Sequence, residues 1–296
     1  MLNDSQTSTI QLVNTDAQTF LRHLPDASVD LLVTSPPYFV GKEYDRSRSI
    51  KDFEEEISRT IERARAKIRR GGSMCWQVGY HVTENIAVPL DVLVYNAVAQ
   101  HSEFRLRNRI VWTFGHGTHS TRRFSGRHET ILWFTNGDDY TFDLDSVRVP
   151  QKYPGKKHYK GPKKGTWSGN PSGKNPEDVW DIPNVKARHV EKTVHPCQYP
   201  VALVRRLIRA LTPDGGLVID PYMGVGTTAV ACLLEDRRFA GCDVEEKYVS
   251  LARARVESAR AGTLKVRDDR PARAPIAGEA VATAPPHFKT TGASHG

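Results

Sequence analysis

Apolar and polar positions alternate along the chain in two rhythms. Residues 9–14, TIQLVN, read as a short strand, and Ala17, Phe20, Leu21 and Leu24 then recur at helical spacing. SVDLLVT is an unbroken apolar run that predicts a buried strand, and it stops at Ser35-Pro36-Pro37-Tyr38. Two adjacent prolines remove backbone donors and fix φ, so no central strand continues through them. DFEEEISRTIERARAKIRR predicts a helix, acidic first and basic last as the helix dipole prefers, ended by Gly71-Gly72. SMCWQVGY predicts a buried strand, and IAVPLDVLVYNAVAQH a helix with Pro89 near its start. FRLRNRIVWTF and HETILWFTN predict two strands joined by the loop GHGTHSTRRFSGR. Later, PVALVRRLIRAL predicts a helix, GLVID a strand, TTAVACLLEDR a helix, FAGCDV a strand and EEKYVSLARARVESARA a helix.

Strands alternating with helices predict a parallel sheet covered on both faces, with ligands held at the carboxyl ends of the strands. Two stretches break the rhythm. Residues 150–194 are rich in Gly, Pro and Lys, and from 263 the chain turns to Pro, Ala, Gly and charge, which predicts a disordered tail. The polar stretch FVGKEYDRSRSI predicts a mobile loop. This gives four parts: 1–149, 150–194, 195–262 and 263–296.

Charge narrows the picture. The 296 residues carry a net charge of +8, which favours an anionic partner, nucleic acid before membrane. No apolar run approaches the length of a membrane span, and the N-terminus lacks the pattern of a signal peptide, so a cytoplasmic protein is expected. The four cysteines form no Cys-x-x-Cys pair, which speaks against a zinc cluster or redox motif. His116 and His119 have metal-like spacing without an obvious partner, so no metal is expected.

The most informative stretch is LVID-PYMGVGTTAVACLL. A strand ends at Asp220, and Pro221, Met223, Gly224 and Gly226 lead into a helix opened by Thr227 and Thr228, whose hydroxyls are placed for capping. The glycines let a backbone approach a ligand. Asp243 ends the next strand, roughly 20 residues on, where Rossmann-like folds grip a ribose. The pattern also satisfies the nicotinamide-dinucleotide fingerprint, so an oxidoreductase stays open at this point. Asp220 directly before the glycines sits poorly beside a pyrophosphate. It suits a ligand with an amino group and a sulfonium, S-adenosylmethionine.

Thr-Ser-Pro-Pro-Tyr and Asp-Pro-Tyr-Met-Gly-Val-Gly-Thr-Thr together resemble the motifs of the amino-methylating DNA methyltransferases, which methylate exocyclic base nitrogens. The resemblance extends to about residue 262. NTDAQTFLRHLPDASVDLLVTSPPY, RHETILWFTNGDDYTF, HPCQYPVALVRRLI and FAGCDVEEKYVSLARARV fall in the family's order. The catalytic motif precedes the glycine loop, with a basic insertion between, which resembles the circularly permuted β arrangement. The fold implied is a doubly wound Rossmann-like methyltransferase sheet with a DNA-recognition insertion at 150–194.

The resemblance implies roles. Ser35 and the Pro36 carbonyl would accept hydrogen bonds from the target amine, Pro37 would hold them rigid, and Tyr38 would stack on a flipped base. Asp220, Pro221, Met223, Gly224, Gly226, Thr227, Thr228 and Asp243 would hold the cofactor. Asp16 and Ala17 would lie near its adenine, and His195, Pro196, Gln198 and Pro200 at its methionine end. Lys152, Lys156, Lys157, Lys160, Lys163, Lys164 and Lys174, interleaved with Tyr153, Tyr159 and Trp167, would meet DNA, as would Arg122 and Arg123. A serine before Pro-Pro-Tyr goes mostly with cytosine N4 in this family, and an aspartate or asparagine with adenine N6. A catalytically inactive DNA-binding module is the reading from another class. Double-stranded DNA is the implied partner, and the resemblance leaves room for a cognate restriction endonuclease and for a homodimer. Pro196-Cys197-Gln198 also matches the nucleophile tripeptide of cytosine C5 methyltransferases, but its place in the chain order is wrong for that chemistry.

Overall fold

The computed structural model describes residues 9–37, 49–83, 85–115, 117, 119–151, 157–186 and 188–267. Tyr38, Lys152, Tyr153, Lys156, His116 and the chain from 268 lie outside the described residues, as does most of the expected loop at 39–50.

An eight-stranded sheet organises the chain. Its strands are β1 (Ile10–Asn14), β2 (Val29–Thr34), β3 (Ile68–Val78), β6 (Phe104–Thr113), β7 (His128–Asn136), β8 (Val179–Asp181), β9 (Leu217–Asp220) and β10 (Arg238–Asp243), in the spatial order β1-β10-β9-β2-β3-β7-β6-β8. From β1 to β3 every pairing is parallel, and β7 then runs antiparallel to both β3 and β6. A separate hairpin pairs β4 (Tyr80–Thr83) with β5 (Ile86–Pro89).

The helices cover the sheet on both sides. One apolar layer joins Leu31 and Val33 of β2 to α4 (Val201–Leu211), α5 (Thr227–Leu234) and α6 (Glu246–Arg260). The other joins Leu32 of the same strand to α1 (Ala17–His23), α2 (Ile50–Lys67) and α3 (Leu90–Ala99). Successive side chains of a strand point to opposite faces, so a strand buried on both must read as a continuous apolar run. That is why VDLLVT is buried at every position. The sheet is α/β and doubly wound, as expected.

Four stretches differ from the sequence expectation. Helix α2 stops at Lys67 rather than at the glycine pair, because Ile68 already pairs with Val29 of β2. The glycines lie inside β3, and a Cβ at Gly72 would come within 3.0 Å of the Val29 carbonyl oxygen. Residues 86–89 are a strand, not the first turn of a helix. Pro89 has no N–H to donate, and it closes β5 and caps α3. Within 150–194, β8 adds to the sheet edge along β6, and Trp180, Ile182 and Val185 are buried. Past Gly262, Leu264 and Val266 pack on the core, and the Arg267 N–H donates to Glu191 at 3.0 Å, so residues 263–267 are held in place.

Candidate active site

Parallel strands β2, β9 and β10 end on one edge of the sheet. Residues at or just past these ends, Ser35–Pro37, Pro221–Val225 and Asp243–Val244, line one cavity of about 840 Å³. The cavity wall brings together Asp16, Ala17, Ser35, Pro36, Pro37, His195, Gln198, Pro221, Met223, Gly224, Thr227 and Asp243 from the sequence-derived set. Pro196, Pro200, Asp220, Gly226 and Thr228 do not line it.

Asp220 is wholly buried behind that wall. Its Oδ1 accepts from Thr34 Oγ1 at 2.7 Å and from the Tyr222 N–H at 3.1 Å. Its Oδ2 accepts from Thr228 Oγ1 at 2.7 Å and from the Tyr199 hydroxyl at 2.9 Å. The carboxyl's partners are thus protein donors, and it ties β2, β9 and the start of α5 together. Burial pushes its pKa up, against the pull of these hydrogen bonds. The Tyr199 phenol is pushed far up by burial and then by the Asp220 charge, so it remains a donor.

The glycine turn is built by special backbone. Gly224 and Gly226 have φ of +50° and +71°, in the left-handed region. A Cβ on Gly226 would meet the Ala252 Cβ of α6 at 2.7 Å. The expected threonine caps are absent. Gly226 itself is the N-cap, Thr228 is drawn to Asp220, and Thr227 accepts from Arg255 at 3.2 Å. Arg255 also donates to the Val225 carbonyl at 2.6 Å and holds the turn from beneath.

Asp243 faces the cavity with one oxygen accepting from the Gly224 N–H at 3.1 Å and the other from Glu245 at 2.8 Å. Burial raises its pKa. His195 stands against Gly224, packed edge-on to Tyr248 with ring centroids 4.7 Å apart. Its Nδ1 accepts from the Cys197 N–H at 3.2 Å, and burial pushes its pKa down to about 4. It is neutral at pH 7 and sets no positive charge on that wall.

Gln198 turns inward. Its Nε2 donates to the Glu191 carbonyl at 2.9 Å, and its Oε1 accepts from Thr193. Buried Glu191 caps α4 by accepting from the Val201 N–H at 2.9 Å. Gln18 on the wall donates to Thr60, while its buried Oε1 has no partner among the described residues. Cys197 is exposed, whereas Cys75, Cys232 and Cys242 are buried thiols with pKa values pushed up by burial.

Thr34, Tyr199, Glu191 and Arg255 escaped the sequence analysis. Two had signals: Thr34 is a polar residue inside a buried apolar run, and Arg255 sits on the apolar stripe of α6 with Val249, Ala252 and Val256. Glu191, in an irregular segment, had none.

Of the proposed DNA-contacting residues, Lys157, Lys160, Lys163 and Lys164 stand on a turn closed by the Lys157–Trp167 bridge. The Lys157 ammonium lies 4.8 Å from the Trp167 ring centre, and Lys174 pairs with Glu177 at 3.0 Å. Arg122 is exposed, while Arg123 lies half-buried against Tyr80.

S-adenosylmethionine fits these walls. The volume is within the usual range for ligand pockets. Beside Asp243 a Cβ on Gly224 would crowd His195 at 3.2 Å, so the glycine keeps that wall open, and the Gln18 oxygen without a partner among the described residues marks an unfilled acceptor.

Comparison with known proteins agrees. The N6/N4 methyltransferase family model, described as a DNA methylase, matches residues 29–254. The chain is 44% identical over 243 residues to the Type II methyltransferase M.BglII of Bacillus subtilis, covering 82% of this chain and 67% of that one. It is 27% identical to the DNA adenine methyltransferase YhdJ of Escherichia coli K12, covering 84% and 83%. In fold it is similar to the PvuII DNA methyltransferase (cytosine-N4-specific), with a TM-score of 0.66 at 17% identity, over 88% of this chain and 95% of that one. The chain belongs to the N6/N4 DNA methylase family and is an S-adenosylmethionine-dependent DNA methyltransferase.

Proposed function

We propose that the protein methylates the exocyclic N4 amine of cytosine within a specific site of double-stranded DNA, as the modification half of a restriction-modification pair. The observation that carries this is the shared cavity. Ser35 and Pro36, at the end of β2, form one wall of the pocket whose other walls are the glycine turn and Asp243.

An exocyclic amine is a poor nucleophile because its lone pair is delocalised into the ring. Ser35 Oγ and the Pro36 carbonyl are acceptors that hold the amino hydrogens and draw the nitrogen toward tetrahedral geometry. Rigidity matters, because preorganised acceptors lose nothing to reorientation during reaction. Pro36 and Pro37 supply it. When bound, S-adenosylmethionine supplies a methyl group made electrophilic by a sulfonium. Asp243 and the glycine turn grip the cofactor, and neutral His195 avoids a like charge beside it. Asp220 acts from behind, fixing the threonine before Ser35 and the turn after itself in one frame.

The target base reaches this pocket by leaving the duplex. The lysine-bearing turn at 157–167 and the arginine-bearing loop at 114–127 supply the phosphate contacts. The Type II methyltransferase named among the relatives supports the restriction-modification role, and the serine before Pro-Pro-Tyr supports cytosine. Adenine N6 is the second reading, favoured by the adenine methyltransferase among the same relatives.

Transfer of tritium from labelled S-adenosylmethionine to duplex DNA, followed by separation of the nucleosides, tests this. Label in N4-methylcytosine is the expected result, and label only in N6-methyladenine overturns the cytosine assignment.

A further inference from the structure

Phe124 is 99% exposed. It lies in the loop joining β6 to β7, between Arg123 and Ser125, and the DNA-contact assignment for this loop rests on its arginines alone. A phenylalanine held entirely in water has no folding role, and its large apolar surface is available to a partner.

The loop is braced rather than slack. The Phe114 N–H donates to the Arg127 carbonyl at 3.0 Å, and the Ser120 N–H to Ser125 Oγ at 3.1 Å. Arg123 donates to the Phe124 carbonyl at 3.2 Å while its guanidinium rests 5.9 Å from the Tyr80 ring centre. Gly126 sits so close beneath Tyr80 that a Cβ there would meet the phenol oxygen at 1.8 Å. The backbone of Phe124 is therefore held from both sides while its side chain is left out.

Sheet register fixes which way the loop faces. Thr34 pairs with Trp76, Val78 with Thr130, and His128 with Thr113. The loop thus leaves the sheet on the same edge as Ser35. Only β3 lies between β2 and β7, about 10 Å at normal strand spacing, and β7 begins four residues beyond the level of Thr34, so the loop starts roughly 16 Å from the end of β2. That separation lets one rigid body hold an extruded base in the cavity and fill the gap it leaves. Phe124 is the most exposed of the aromatics among the described residues; the next two are Tyr159, which carries a hydroxyl, and Trp167, which has the Lys157 ammonium against its ring.

We propose that Phe124 is a wedge that enters the base stack where the target base has left, with exposed Arg122 meeting a neighbouring phosphate. Apolar side chains do this in other DNA-bending proteins by replacing lost stacking. The inference rests on base extrusion, as proposed for this site.

The test uses the full chain, its own methylation site mapped by sequencing, and two duplexes. In one the target base is normally paired, and in the other it faces an abasic position, so that extrusion costs less. Wild type must methylate the paired duplex, and failure to methylate any DNA would overturn the functional reading and the wedge with it. Given that activity, F124A is expected to lower kcat/KM on the paired duplex by about tenfold or more, and on the abasic duplex by less than about twofold. F124W should restore most of the loss, and S-adenosylmethionine affinity should not move. With 2-aminopurine at the target, the fluorescence rise on binding should fall in F124A. Equal losses on both duplexes, no loss on the paired one, or a change of oligomeric state without a change in fluorescence would each overturn the wedge.

Discussion

Thr34 Oγ1 donates to Asp220 Oδ1 at 2.7 Å, across 186 residues of chain. Thr34 is the last residue of β2 and immediately precedes Ser35, and Asp220 is the last residue of β9 and immediately precedes the glycine turn. One buried hydrogen bond therefore locks the Ser35 wall of the cavity to its glycine-turn wall. Thr34→Val keeps shape but removes the donor, leaving Asp220 Oδ1 with the Tyr222 N–H alone. It should cost about 1–3 kcal/mol at pH 7. Burial already raises the Asp220 pKa, and losing a donor to its ionised form raises it further. The loss should therefore shrink as pH falls and Asp220 protonates. Urea unfolding at pH 7 and at pH 5.5 checks both the size and the trend.

Ser35 has no hydrogen-bonding role in holding the fold among the described residues, and it faces the cavity. Ser35→Ala should leave unfolding and S-adenosylmethionine affinity within experimental error while lowering kcat by about 10²-fold, the usual scale for a lost preorganised partner. Single-turnover rates with equilibrium cofactor binding separate the two. A parallel loss of cofactor affinity would count against an acceptor role for Ser35.

How much of this was legible beforehand follows from what is local. The alternation of buried runs and amphipathic stretches placed both faces of the sheet, because Leu31, Leu32 and Val33 alternate between two apolar layers. The α2–β3 junction was misplaced because glycines normally end helices. Here Ile68 is claimed by Val29, a pairing no window of sequence contains. Strand β8, three residues in a Gly- and Lys-rich stretch, exists through its partner β6. At the site, the strand-end acids could be named, but not which way each side chain turns. Asp243 faces the cavity, whereas Asp220 turns back toward Thr34, Tyr199 and Thr228. That difference comes entirely from distant donors.

Gly226 separates conformational strain from close packing. Gly226→Ala must hold φ near +71° and bring a Cβ within 2.7 Å of the Ala252 Cβ, so α6 has to shift. A loss of about 1–3 kcal/mol is expected, together with weaker S-adenosylmethionine binding. Gly215→Ala is the control. Its φ is +66°, but nothing lies within 4 Å of the added Cβ. It should show the smaller, strain-only loss with cofactor affinity intact, as read by thermal unfolding and calorimetric titration.

Glu191 joins the cap of α4 to the far end of the described chain. One oxygen accepts from Val201 and the other from Arg267. Ending the chain after Gly262 removes the second contact and the packing of Leu264 and Val266. The truncated protein should melt several degrees lower, because a loss of one kcal/mol shifts Tm by roughly 2–4 °C in a domain of this size. An unchanged Tm would show that residues 263–267 add nothing to the fold.

His195 gives the fold a dependence on pH whose sign is fixed. Its ordinary value is near 6.5, and burial lowers it to about 4 in the folded protein. Above 6.5 the imidazole is neutral folded and unfolded, and no stability is lost. Between 6.5 and about 4 the unfolded chain takes up a proton that the folded one refuses. Stability then falls by about 1.4 kcal/mol for each pH unit, and by about 3 kcal/mol across the window. Asp220 and Asp243 act with the opposite sign, because raised carboxyls favour the folded state as pH falls, so the total slope mixes both. His195→Asn isolates the imidazole, since its side-chain oxygen can still accept from the Cys197 N–H. Unfolding free energies of wild type and variant should run parallel above pH 7. They should draw together below 6.5, with wild type losing ground as its unfolded state gains the proton. Curves that stay parallel down to pH 4.5 would mean that the buried imidazole is protonated in the folded protein as readily as in water.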